Sequence, residues 1–210
     1  MEENKPRGVP LSPKSMVDSV ADWPLYQVVD HLRKKEKEER PSTAFVTCRS
    51  VIKSLSDMVR ELAGRYNVSH NRICGWISYH GIMIARDDAT MTKMASVCSQ
   101  LRQSALLADD TDTLDMLNSI LPYSPRIQDS MFYRLSVFDW VASEFEDLAV
   151  SCGVPKFRII QVFMAKSMLS DDTDRVAGAA GRLSKEVSRW DNWMGKRLGM
   201  LEGLARELEK

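Results

Sequence analysis

The chain has 210 residues, 44% hydrophobic and 28% charged, enough to bury a sizeable core in one domain or two small ones. Its 29 Lys and Arg balance 29 Asp and Glu, which excludes a surface that coats nucleic acid everywhere; any such binding must use a local patch. No apolar run reaches the ~20 residues of a membrane span, and the N-terminal MEENKPRGVPLSPKS has no apolar signal region.

Cys48, Cys74, Cys98 and Cys152 are far apart and form no CxxC pair, so they read as reduced thiols of a cytoplasmic (or nucleoid-associated) protein. With only three histidines and no ligand spacing, no metal or cofactor is expected. Three prolines in the first 15 residues predict a loose tail. Trp23-Pro24 then marks a helix start, and Leu25, Val28, Val29 and Leu32 follow at helical spacing. The run Arg33 to Arg40, RKKEKEER, alternates in sign and reads as the solvated end of that helix.

Residues 44–49, AFVTCR, are rich in β-branched and aromatic types and predict a short strand. An amphipathic helix with Leu55, Val59, Leu62 and Ala63 on one face comes next. Asn67 suits the left-handed turn that ends a helix, and Ser69 opens a second helix as an N-cap. Residues 89–121 read as further helix, with Met91, Met94, Val97 and Leu101 in phase and a break at Asp109 to Asp112. Pro122 and Pro125 mark a loop. Residues 131–136, MFYRLS, then repeat the strand signal, Val141, Phe145, Leu148 and Ala149 repeat the helix face, Gly153 repeats the turn, and Pro155 opens the last helix of the set.

After Asp174 one long helix is expected. Val176, Ala180, Leu183, Val187, Trp190, Met194, Leu201, Leu204 and Leu208 keep a heptad that only Arg197 breaks. Gly195, Gly199 and Gly203 on one side would permit close helix approach. The helix reads either as packed on its own domain or as an intermolecular coiled coil. In the second case Leu183, Val187, Trp190, Met194 and Leu201 make the oligomer contacts, and a homo-oligomer is the expected state.

The order strand, helix, turn, helix occurs twice. Laid on residue n+86 without a gap, LAGRYNVSHNRI (62–73) falls on LAVSCGVPKFRI (148–159) with five of twelve positions identical. The apolar positions agree more widely, as shared packing requires. The chain therefore divides into a tail and helix (1–41), a first unit (42–88), a helical connector (89–128), a second unit (129–172) and the heptad helix (173–210).

The stretches FVTCRSVIKSLSDMVRELAGRYNVSHNRICGWISYHGI (45–82) and MFYRLSVFDWVASEFEDLAVSCGVPKFRIIQVFMAKSML (131–169) resemble the ribbon-helix-helix DNA-binding family of the Arc, MetJ and CopG type. The resemblance implies a mainly α fold with two tandem units paired as a pseudo-dimer, flanked by further helices. It implies that the two strands pair into an antiparallel ribbon that enters the major groove, and that the start of each second helix holds a phosphate. On that basis Thr47, Arg49, Arg134 and Ser136 are the outward strand residues, with Tyr133, Leu135 and Val137 turned to the core. A one-residue slip would exchange the faces of the first strand.

Charge placement points the same way. No acid occurs from Leu62 to Arg86 or from Leu148 to Ser170, while Arg65, Arg72, Arg86, Lys156, Arg158 and Lys166 do. Ser69, His70, Asn71 and Arg72, and Lys156 and Arg158, sit at the starts of the second helices, where a phosphate gains from free N–H groups and the helix dipole. The expected function is sequence-specific binding of double-stranded DNA, as a transcriptional regulator (repressor) or an organiser of plasmid or viral DNA. One alternative is a helix-turn-helix reader using 69–76 and 155–162 as recognition helices. Another is a helical assembly or adaptor protein with no nucleic-acid role, which the Met-rich composition and zero net charge suit. No phosphate-cradling glycine loop or nucleophile elbow appears, so an enzyme is not expected. Asp87-Asp88 and Asp171-Asp172 read as solvated caps.

Overall fold

The computed structural model describes residues 20–38, 43–120, 130–171 and 177–208. It is mainly helical. In chain order come α1 (Leu25–Glu38), β1 (Thr43–Ile52), α2 (Lys53–Arg65), α3 (His70–Asp87), α4 (Ala89–Leu107) and α5 (Thr111–Ile120). Then follow β2 (Ser130–Phe138), α6 (Asp139–Cys152), α7 (Lys156–Leu169) and α8 (Ala177–Leu208). No single helix among them is long and apolar enough to cross a membrane.

The repeat is visible in the backbone. α2 and α6 start at Lys53 and Asp139, and α3 and α7 at His70 and Lys156, the same 86-residue offset both times. The turns match as well. Asn67 and Gly153 both sit in the left-handed region, at φ 50° and 58°. These two residue types tolerate it because one has a short polar side chain and the other has none. Ser69 caps α3 by accepting a hydrogen bond from the Arg72 amide, whereas Pro155 occupies the cap position of α7 with no side-chain bond.

α3 and α7 cross at the centre. Gly81 makes the close approach possible: a Cβ there would stand 2.9 Å from the carbonyl carbon of Phe163. Leu55, Val59 and Leu62 of α2 and Val141 and Phe145 of α6 fill in around the crossing. The ribbon β1–β2 closes one side through Leu135 and Val137. α1 packs on α3, and α8 packs across α2, α4 and α7. One cluster of buried residues runs from Val20 to Leu204, so the five segments share a core.

α8 departs from the oligomer expectation. Leu183, Trp190, Met194 and Leu201 are buried in the chain's own core, and Val187 is half-buried against it. Heptad spacing marks a helix with one apolar stripe, and it carries no information about whose surface covers the stripe. Here α2, α4 and α7 cover it, so these residues are not open to a second chain. Arg197 is buried too, donates to the Gly153 carbonyl at 2.8 Å and lies over the Trp193 ring. Burial pulls its guanidinium down to about 10. At Gly195, Gly199 and Gly203 a Cβ would meet nothing within 4 Å, so these glycines serve no close helix approach.

Candidate nucleic-acid interface

β1 and β2 pair antiparallel, with Thr43 opposite Phe138 and Thr47 opposite Arg134. The pairing is regular up to Cys48, opposite Tyr133, and resumes at Val51, opposite Met131. Arg49 and Ser50 thus stand against Phe132 alone, a one-residue β-bulge. The bulge corrects the ungapped overlay of the repeats. Beyond it, toward the start of β1, equivalent residues are 87 apart, which makes Thr47 and Arg134 equivalents of each other. A two-fold axis relating the two strands would pass through that pair. Had the offset stayed at 86, the axis would have fallen between pairs that face opposite sides of the ribbon, which no rotation about it permits.

The side chains of Thr47, Arg49 and Arg134 lie outside the described residues, but their register positions do not. Positions 47 and 134 alternate with Leu135 and Val137, which are buried, and with Val46, which packs on the core. Arg49 falls in the bulge, where simple alternation ceases to apply. Ser136 was expected to face outward and is instead 4% exposed. The whole run Leu135 to Phe138 is buried because α3 packs along this end of β2, with the Phe138 ring over Gly75 and edge-on to Tyr79.

The helix starts are only partly as expected. Ser69 and Asn71 are exposed, and His70 is half-buried, its ring beside the Cys74 sulfur at 3.9 Å. Burial, then the charge of Arg60, holds His70 below its ordinary value. Arg72 lies over the Trp76 ring and is ion-paired with Glu36 of α1, which also accepts from the Trp76 indole at 2.6 Å. Lys156 pairs with Glu146 at 2.6 Å. Arg158 is buried and lies over the Phe157 ring.

The same holds for the other cations of the two acid-free stretches. Arg65 binds Asp171 at 2.7 Å, Arg86 binds Glu144 at 2.7 Å, and Lys166 sits between Asp88 at 2.8 Å and Asp191 at 2.9 Å. Absence of acids nearby in sequence did not mean absence in space. Nor is Asp171 a solvated cap: it is buried and also accepts from the Tyr66 hydroxyl. Burial works against the charge on Lys166, yet its two carboxylates outweigh that and raise it above the ordinary lysine value.

Of the recognition segments 69–76 and 155–162 in the helix-turn-helix alternative, only residues 69–72 and 155–157 reach the surface. α3 is buried at every position from Ile73 to Ile82, and α7 at every position from Arg158 to Ala165. Beyond their first turns these helices have no face to lay in a groove.

One group of cations was missed. An open cleft of about 540 Å³ separates α1 from the α2–α3 turn, lined by Asp30, Arg33, Lys34, Asn67, Val68 and Arg72. Arg33 donates to the Tyr66 carbonyl and lies near the Tyr66 and Trp76 rings. The run RKKEKEER carried these residues, but only the packing of α1 on α3 brings Arg33 and Lys34 beside Arg72. Among the described residues no cluster of His, Cys, Asp or Glu is placed to hold a metal ion. Comparison with known protein families, with curated proteins and with solved structures finds no match.

Proposed function

We propose that the protein is a non-enzymatic, sequence-specific binder of double-stranded DNA, a transcriptional regulator or DNA-organising protein that reads base edges with the β1–β2 ribbon. The observation that carries this reading is the pairing of two strands from equivalent places in two copies, each strand leading into its own helix pair. An isolated strand pair is marginally stable, so the helices beneath serve to hold the ribbon. A two-stranded ribbon fits the major groove, where each base pair presents a distinct pattern. Arg33 and Lys34, in the cleft beside the start of α3, supply cations for the phosphate backbone.

The test is duplex binding followed by fluorescence anisotropy at rising salt. The logarithm of affinity should fall linearly, with a slope set by a few phosphate contacts. Arg134→Ala should flatten the preference among sequences, while Arg33→Ala with Lys34→Ala should weaken all sequences alike. A folded protein that binds no duplex at low salt overturns the proposal. The second reading, a helical adaptor, would then stand; the internal pairing of Arg65, Arg72, Arg86, Lys156 and Lys166 favours it.

A further inference from the structure

We infer that the DNA site is non-palindromic and is filled by one chain, with the two ends of the ribbon reading different half-sites. This rests on the DNA reading above. A ribbon built by two identical chains places the same residue on both sides of its axis, so its best site repeats on the two DNA strands. Here one chain supplies both strands, and the apolar stripe of α8 is covered within the chain.

The axis pair itself is unequal: Thr47 opposite Arg134. A guanidinium favours guanine through two hydrogen bonds, whereas a threonine hydroxyl accepts or donates and its methyl suits thymine. Two positions along, Phe45 and Phe132 are equivalent by register, whereas the bulged pair Arg49-Ser50 on β1 answers to the single residue Ser136 on β2, which is buried. The sequence therefore differs at the centre and at one of the two flanking steps. The backbone differs as well. The β1 end carries the bulge at Arg49-Ser50, which bends a strand and increases its twist, while the matching stretch of β2 is regular and buried against α3. The two ends follow different paths and cannot meet one groove geometry twice.

Selection of bound duplexes from a randomised pool, using the full chain, tests this. The enriched motif should lack two-fold symmetry. Palindromes built from either half of it should bind at least about tenfold more weakly than the motif itself. Light scattering of the complex should give one chain per duplex. Thr47→Arg makes the axis pair Arg with Arg, and Arg134→Thr makes it Thr with Thr. Each should render the centre of the motif symmetric and leave its flanks unequal, and either variant suffices if the other fails to fold. A palindromic motif, or two chains on one site, overturns the inference and leaves the DNA reading in place. Failure of the folded chain to enrich any motif overturns the DNA reading, and the inference with it.

Discussion

Trp76 in the first copy and Val162 in the second occupy equivalent turns of α3 and α7, and both are buried. The tryptophan needs an acceptor for its indole N–H and finds one in Glu36 of α1, an element the second copy does not use there. Four residues on, His80 and Lys166 are again equivalent. His80 bonds Ser167 at 3.0 Å and the Ala21 carbonyl at 3.3 Å, so it ties the entry to α1 onto the central crossing. Lys166 ties α7 to Asp88 at the cap of α4 and to Asp191 of α8. The two copies thus diverge where unrepeated elements attach. What they keep is the turn, the helix lengths before it and the apolar face, which together specify how two helix pairs can cross.

That comparison predicts unequal costs at equal positions. Trp76→Ala should destabilise by about 3–5 kcal/mol and Val162→Ala by about 2 kcal/mol, measured by urea unfolding. Equal costs would mean that α1 adds nothing to the first copy. Gly81→Ala should cost about 1–3 kcal/mol, because the new methyl meets Phe163 backbone and not a movable side chain. Gly75→Ala in the same helix faces the Phe138 ring at 3.5 Å, an ordinary contact, and should be neutral or gain up to about 1 kcal/mol from helix propensity.

The His80 and Lys166 pair sharpens the contrast through pH. Burial holds folded His80 below its ordinary 6.5, so the unfolded chain takes up the proton first. Stability should therefore fall as pH drops below about 6.5, and His80→Gln should reduce that slope. The raised Lys166 behaves oppositely: its contribution is complete below the ordinary 10.5 and is lost only as pH rises past it. Lys166→Met should leave the acid slope unchanged. Small effects are expected at the turns as well. Gly153→Ala should cost about 1 kcal/mol, and Asn67→Gly should change stability by only a few tenths of a kcal/mol.

The features that were legible in the sequence are those set by near neighbours. Asn67, Gly153, Ser69 and Pro155 sit where the turn and cap chemistry put them, and the faces led by Leu55 and Val141 are buried as their spacing requires. Features set by distant partners were not legible. Heptad spacing in α8 reads the same whether α2, α4 and α7 cover it or another chain does. The ion pairs of Arg72 and Lys166 join residues 36 and 78 positions apart. A bulge adds one residue to one strand, so the ungapped alignment that revealed the repeat also misplaced the strand equivalences by one. Of the candidate interface, the two strands that carry Thr47 and Arg134 were legible but their register was not, while Ser136 and Arg158 belong to the interior.

Both strands of the ribbon belong to one polypeptide, and that changes what dilution can do. A ribbon shared by two chains comes apart as protein concentration falls, since its formation is bimolecular. Within a single chain the second strand is always present at the effective concentration set by the intervening helices. Half-unfolding in denaturant is then independent of how much protein is in the tube, and a cell holding only a few copies would keep every ribbon assembled.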